Sequence, residues 1–222
     1  MAAVWEYVPF ILGGLKYTVV IALVGLAVAL LVGVTVGLLR LSDKRIVRVG
    51  SLMFVEFFRG TSEVVQLYWI FFALPLLLAL RLPPVTAAII VLGLNQGAYV
   101  SEIVRGAVQA VPQAQIEATV ALNMGAWVRM RRVILPQAVA AMLPSLGNSA
   151  VDIAKATSIA SLITVSDLTF RAQQVRAATG ESLIVYAFIL VLYLGLTSSL
   201  TLAFKMLERQ LPAGLKTRAG RA

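Results

Sequence analysis

The chain has 222 residues, 60% of them hydrophobic and 13% charged, with a mean hydropathy of +0.91; this is the balance of a polytopic membrane protein and leaves no soluble domain over. It contains no Cys and no His, which excludes disulfide frameworks, Cys nucleophiles, Ser/His/Asp triads and the usual zinc sites. The net charge of +9 comes from short Lys and Arg runs beside long apolar segments, the pattern of membrane topology signals and not of nucleic-acid binding.

The stretch MAAVWEYVPF lacks a basic leader region and runs into an apolar segment too long for a signal-peptide core, so a retained first span is expected over about 11–39. Tyr17 to Leu39 alone is uncharged for 23 residues. As a helix that is roughly 34 Å, enough for a hydrocarbon core of about 30 Å. Arg40, Lys44, Arg45 and Arg48 follow at once, which marks this end as cytoplasmic and puts the N-terminus outside. Val64 to Leu80 is uncharged for 17 residues and extends back through Met53 to Phe58, giving a second span over about 53–80. Arg81, Leu82, Pro83 and Pro84 form an outer turn, and a third span covers about 82–104, ending at Glu102 and Arg105.

A polar island then fills a cytoplasmic loop over 106–136. Pro112 opens a helix in which Ala114, Ala118, Ala121 and Leu122 share one face with Glu117 at its edge, and such small residues allow close backbone approach. Asn123 suits a left-handed helix-terminating position, and Arg129, Arg131 and Arg132 form a basic run at the membrane boundary. A fourth span, about 137–160, is interrupted by Pro144 and Gly147 and carries Asp152 and Lys155. Asp167 to Glu181 is expected to lie outside or to re-enter as short helices. The fifth span, about 182–206, leads into a tail with Lys205, Arg209, Lys216, Arg218 and Arg221, which is therefore cytoplasmic. Fourteen of the 19 Lys and Arg fall on the proposed inner side, whereas a six-span arrangement would put the basic tail outside. The expected fold is an all-α integral membrane protein of five transmembrane helices in one domain over 1–222.

Polar groups inside spans need partners or a cavity. Arg59 sits near the inner end of span two, where an ion pair with Glu56 or Glu63 is favoured over a solute role; Gly60 and Thr61 let another backbone come close. Asn95, Gln96, Tyr99 and Ser101 either bond helix to helix or line a pathway. Asp152 and Lys155, three residues apart, share a helical face. They are either a self-neutralised pair or an acid and a base presented together to a zwitterion.

Several of these stretches carry a family resemblance. Glu117 and Ala118, with Thr119 in place of Ala and Asn123 in place of Gly, then Leu135 and Pro136 at the family spacing, resemble the Glu-Ala-Ala cytoplasmic loop of bacterial ABC-importer permeases. EFFRGTSEVVQ (56–66), LNQGAYVSE (94–102) and GNSAVDIAKATSIASL (147–162) are similar to stretches of the polar amino-acid branch of those permeases, with Ala156 where an Asp is usual. LTFRAQQVRAATG (168–180), together with FRGTS and the QLYWIFFALP that follows it, most resembles the ectoine and hydroxyectoine branch, whose solute is a small cyclic zwitterion.

The resemblance implies a type I ABC-importer permease architecture in a bacterial cytoplasmic membrane. It implies ATPase coupling through Glu117, Ala118, Thr119, Asn123, Gly125, Leu135 and Pro136, and a solute pathway at Asn95, Tyr99, Asp152, Lys155, Thr157 and Ser158, with Arg59, Gly60 and Thr61 as a structural motif. The implied partners are two ABC ATPase subunits, a second permease subunit, the same chain or another, and an extracytoplasmic solute-binding protein. No G-x-x-x-x-G-K-[ST] loop occurs, so ATP and Mg belong to the ATPase chain; no cofactor and no enzyme activity are expected here. The competing class is an ion-coupled secondary transporter or channel, for which Asp152, Lys155 and Glu102 are the coupling candidates; the lack of a clear inverted repeat counts against it.

Overall fold

The computed structural model describes residues 6–79 and 81–210. The first five residues, Leu80 at the expected end of span two, and the basic tail with Lys216, Arg218 and Arg221 lie outside the described residues. The described chain is helical throughout: α1 (Val8–Leu12), α2 (Leu15–Leu39), α3 (Arg45–Gly60), α4 (Glu63–Leu78), α5 (Pro84–Gln109), α6 (Gln113–Ala121), α7 (Ala126–Ile163), α8 (Leu168–Thr179) and α9 (Ser182–Gln210). Three of these segments, Val8–Leu39, α5 and α9, are long and apolar enough to cross a membrane, and the number rises to five when the bent pairs α3 with α4 and α7 with α8 each count as one span.

The centre of the molecule is the packing of α2 on α5, and small residues make it possible. Gly25, Ala29, Gly33 and Gly37 recur every fourth position on the buried face of α2, opposite Gly93, Gly97 and Ser101 on α5. With lipid as apolar as Leu, close van der Waals contact holds such helices together, and only small residues let the backbones meet. A Cβ added at Gly33 would lie 2.4 Å from Val100 Cγ1, and one at Gly37 2.8 Å from the Ser101 carbonyl oxygen. Around this pair, Ile21, Leu67, Val91, Leu92, Ile153 and Ile163 form a core drawn from α2, α4, α5 and α7. On the far side, α9 has Val185 as its buried residue and exposes Leu183, Leu190, Val191 and Leu194, as befits a face turned to lipid.

Two expectations are corrected. Met53 to Phe58 does not continue straight into span two, because the chain turns by 101° between α3 and α4 at Thr61 and Ser62. Nor do Pro144 and Gly147 interrupt the fourth span: helix runs through both, and Gly147 instead admits the Phe204 side chain of α9 to 3.1 Å from where its Cβ would stand. The helix is disturbed elsewhere, at π-helical turns over Trp69–Ala73 and Met130–Ile134. Each precedes a proline, Pro75 or Pro136, whose missing N–H and ring clash with the carbonyl four residues back are absorbed by one wider turn. Arg129, Arg131 and Arg132, expected in a loop, are thereby part of α7.

The expected short helix after span four is α8. Asp167 caps it by accepting a 2.8 Å hydrogen bond from the Phe170 N–H, and Gly180 ends it at φ +73°. Its start is held against α2, where Leu168 N–H donates to Thr18 Oγ1 at 3.2 Å.

Candidate solute pathway and docking helix

A helix that stops inside a membrane protein leaves carbonyls without partners, and nothing but protein is there to satisfy them. The end of α3 shows how this chain meets that demand. Thr61 Oγ1 donates to the Phe57 carbonyl at 2.7 Å, and Gln66 Nε2 to the Phe58 carbonyl at 3.0 Å and to Thr61 Oγ1 at 2.6 Å. Asn95 Nδ2, arriving from α5, donates to the same Phe58 carbonyl at 2.8 Å and to Gln66 Oε1 at 3.3 Å. The Arg59-Gly60-Thr61 stretch is thus the corner between α3 and α4, and Asn95, only 2% exposed, is the side chain that ties that corner to α5. Of the two readings open for Asn95, the geometry gives it the bond between helices.

Beside this corner lies a cavity of about 540 Å³. Arg59 and Glu63 line one wall, Gln96, Tyr99 and Glu102 of α5 a second, and Ser145, Asn148, Ser149 and Asp152 of α7 a third. The α7 wall follows from sequence spacing: 145, 148, 149 and 152 fall on one helical stripe. That stripe was legible as i, i+3, i+4, i+7 polar residues, a signal that scanning for single charges passes over. Tyr99 and Asp152, two expected pathway residues, line the cavity. Asn95, Lys155, Thr157 and Ser158 are not among its lining residues. Thr157 is fully buried and donates to the Ala154 carbonyl at 2.7 Å, and Ser158 donates to the Lys155 carbonyl at 2.8 Å. Lys155 Nζ stands 3.9 Å from Asp152 Oδ1, both side chains more than half exposed, so the two expected partners do meet, but loosely.

Arg59 is paired with neither Glu56 nor Glu63, as the sequence had suggested, but approaches Glu102. Glu102 is a hub. Its Oε1 accepts from Arg40 at the end of α2, and its Oε2 lies 2.9 Å from both Nε and Nη2 of Arg105, one turn further along α5. Charge-assisted bonds of this kind offset the cost of holding a carboxylate away from bulk water. Arg59 Nη1 remains 3.7 Å from Oε1, beyond hydrogen-bond range, and its guanidinium lies over the Tyr99 ring at 5.1 Å.

The second candidate site is α6. Its C-terminus is a Schellman motif: Asn123 adopts φ +54°, its N–H donates to the Val120 carbonyl at 2.8 Å, and the Met124 N–H donates to the Thr119 carbonyl at 2.9 Å. Asn is the residue besides Gly that takes this conformation most readily. Thr119 turns inward, 4% exposed, with its hydroxyl on the Ile116 carbonyl at 2.6 Å. Ala114, Glu117, Ala118 and Ala121 are all exposed, as is Gly125, and Leu122 and Trp127 are each 74% exposed. Leu135 and Pro136 stand apart from this face, where the π-helical turn of α7 gives way to α-helix. What joins the two is a 2.7 Å hydrogen bond from Gln137 Nε2 to Gln115 Oε1. Among the described residues, no group of three or more acidic, His or Cys side chains is placed to hold a metal ion.

Comparison with known proteins adds to this geometry. Residues 29–211 match the family described as binding-protein-dependent transport system inner membrane component. The chain is 38% identical over 211 residues to the glutamine transport system permease protein GlnP of Escherichia coli K12, covering 95% of this chain and 96% of that one. It is 45% identical over 177 residues to the probable amino-acid ABC transporter permease protein y4tF of Sinorhizobium fredii, covering 78% and 74%. A crystal structure of an amino acid ABC transporter with histidines superposes with a TM-score of 0.88 at 30% identity, covering 95% of this chain and 98% of that one. The MetNI methionine ABC transporter in an inward-facing form, at 18% identity and a TM-score of 0.80, shares the fold. The chain therefore belongs to the binding-protein-dependent transport system inner membrane component family, as the permease subunit of an ABC importer for amino-acid-like polar solutes in a bacterial inner membrane.

Proposed function

We propose that this permease passes a small zwitterion, ectoine or hydroxyectoine, through the cavity between α5, α7 and the α3–α4 corner. The family architecture supplies ABC ATPase subunits, a paired permease and an extracytoplasmic binding protein, and ATP hydrolysis belongs to the ATPase subunits. Family membership also sets aside the ion-coupled secondary transporter. The observation that carries the zwitterion reading is that Arg59 lines the cavity together with the acids Glu63 and Asp152. Two poles of a solute crossing a membrane each need an opposite charge, and a wall of one sign would serve only one of them. Lys155, 3.9 Å from Asp152, can add a cation at the α7 side, with Thr157 and Ser158 on the turn beyond.

A polar amino acid is the second reading, favoured by the relatives named for glutamine and arginine transport. Uptake of labelled ectoine into vesicles holding the complete transporter separates the two. Ectoine uptake suppressed by unlabelled hydroxyectoine and indifferent to glutamine is expected. Glutamine uptake with no ectoine uptake transfers the function to the amino-acid reading.

We further propose that α6 is the docking helix for the ATPase, with Glu117, Ala118, Thr119, Asn123 and Gly125 shaping its tip and Leu135 and Pro136 its base. The exposed small face beside an acid, held by a rigid end, supports this. The placement of the N-terminus outside and of α6 and the tail in the cytoplasm belongs to the same proposal and rests on the Lys and Arg distribution.

A further inference from the structure

Arg59 lines the cavity, and its ion-pair contact with Glu102 is longer than a hydrogen bond. Glu102 has one oxygen taken by Arg40 and the other by Arg105. A carboxylate so engaged has little left for a third guanidinium, and Arg59 Nη1 stays at 3.7 Å. Its guanidinium carbon lies over the Tyr99 ring at 5.1 Å, a contact that uses none of its N–H donors in a hydrogen bond to a carboxylate. The side chain is 39% exposed and lines the cavity. Among the residues that line the cavity it is the cation, set among the acids Glu63, Glu102 and Asp152.

We infer that Arg59 is the solute-binding residue for the anionic pole, taking the carboxylate of the transported zwitterion on its guanidinium N–H groups, with Tyr99 and Glu102 as positioning residues. This rests on the reading of the cavity as the solute's path. A planar fork fits a carboxylate with two parallel bonds, whereas an ammonium in the same place would meet it as a point charge. The wall opposite, with Asp152 and Asn148, then faces the cationic pole.

The test is equilibrium binding to the complete transporter in lipid nanodiscs without binding protein, using labelled ectoine and labelled glutamine, each compared with its carboxamide. In the wild type the acid is expected to bind more tightly than the amide. Arg59→Gln should weaken the acid by about tenfold to a hundredfold, the range for losing a hydrogen-bonded charge, and leave the amide unchanged. Equal weakening of acid and amide, or none of either, overturns the assignment and makes Arg59 a structural partner of Glu102. Should Arg59→Gln fail to assemble, Arg59→Lys keeps the charge and loses the fork; it should weaken the acid selectively, and an unchanged preference for acid over amide overturns the inference. If the wild type binds neither solute while importing another that has no carboxylate, the zwitterion reading fails first, and this assignment with it.

Discussion

Replacing Gly33 by Ala tests the packing on which the whole arrangement depends. The new methyl would sit 2.4 Å from Val100 Cγ1 and 2.5 Å from Val100 Cβ, with the Gly97 carbonyl oxygen at 3.1 Å behind. Carbon atoms meet comfortably at about 3.5 Å, so the shortfall is roughly 1.1 Å. Rotating the valine cannot relieve it, because its Cβ is fixed to the α5 backbone. Helices α2 and α5 must separate, at an overpacking cost of about 1–3 kcal/mol. Ala is also the better helix former by about 1 kcal/mol, which works the other way. Gly195→Ala isolates that gain, since nothing lies within 4 Å of the site. Thermal unfolding of the purified transporter, followed by tryptophan fluorescence, should give Gly33→Ala a midpoint about 2–12 °C below Gly195→Ala. Adding Val100→Gly removes the two nearest atoms and should restore part of the loss, as a favourable coupling in a double-mutant cycle. Equal midpoints for Gly33→Ala and Gly195→Ala would refute the close-packed interface.

Other expectations are simpler to state. Asn123→Gly should keep assembly and coupled ATP hydrolysis, whereas Asn123→Val, a β-branched residue at φ +54°, should lose roughly 1–3 kcal/mol at the tip of α6 and reduce both; identical behaviour of the two rejects the cap. Glu117→Lys should lower solute-stimulated ATP hydrolysis and uptake with membrane insertion intact, and unimpaired coupling removes Glu117 from the docking surface. The double change Asp152→Asn with Lys155→Gln should insert and lose ectoine uptake if the pair reads the solute. Wild-type uptake by that variant returns both residues to a self-neutralised pair, consistent with their 3.9 Å separation.

Membrane character, the helical class and the left-handed end at Asn123 could be read from composition and spacing, because apolar length and cap chemistry are local properties of the chain. The position of the α3–α4 corner could not. A span was drawn through Arg59, Gly60 and Thr61 because the apolar residues on both sides hid a break whose stability comes from Asn95, thirty-seven residues away from the Phe58 carbonyl it satisfies. The partner of Arg59 was missed for the same reason: Glu56 and Glu63 are near in sequence, while Glu102 is brought up by a different helix. Pro144 misled in the opposite direction, since a proline says that one backbone bond is lost and not whether tertiary packing keeps the helix straight. The glycine period along α2 was present in the sequence, but the depth of its contact with α5 needed the facing Gly93 and Gly97 to be placed against it.

The two candidate sites are mechanically connected, and the connection says which wall of the cavity can move. On the proposed docking role, force arrives at α6, and the Gln115 to Gln137 hydrogen bond passes it to the base of α7. From Gln137 to Asp152 the helix is unbroken, about 22 Å at 1.5 Å per residue, so α7 responds as a rod. The compliant place is the π-helical turn over Met130–Ile134, where Pro136 has already removed a backbone bond. The opposite wall is tied more closely at the corner itself, its own π-helical turn lying further along α4 at Trp69–Ala73. Arg59 and Tyr99 stand on a corner and a helix bound together by Asn95 and Gln66, and that helix is locked to α2 by glycine contacts. On the proposed docking and solute roles, motion at α6 shifts Asp152 relative to Arg59 and so changes the distance between the charges proposed to face the two ends of the solute, the kind of differential contact a transport cycle needs between its states.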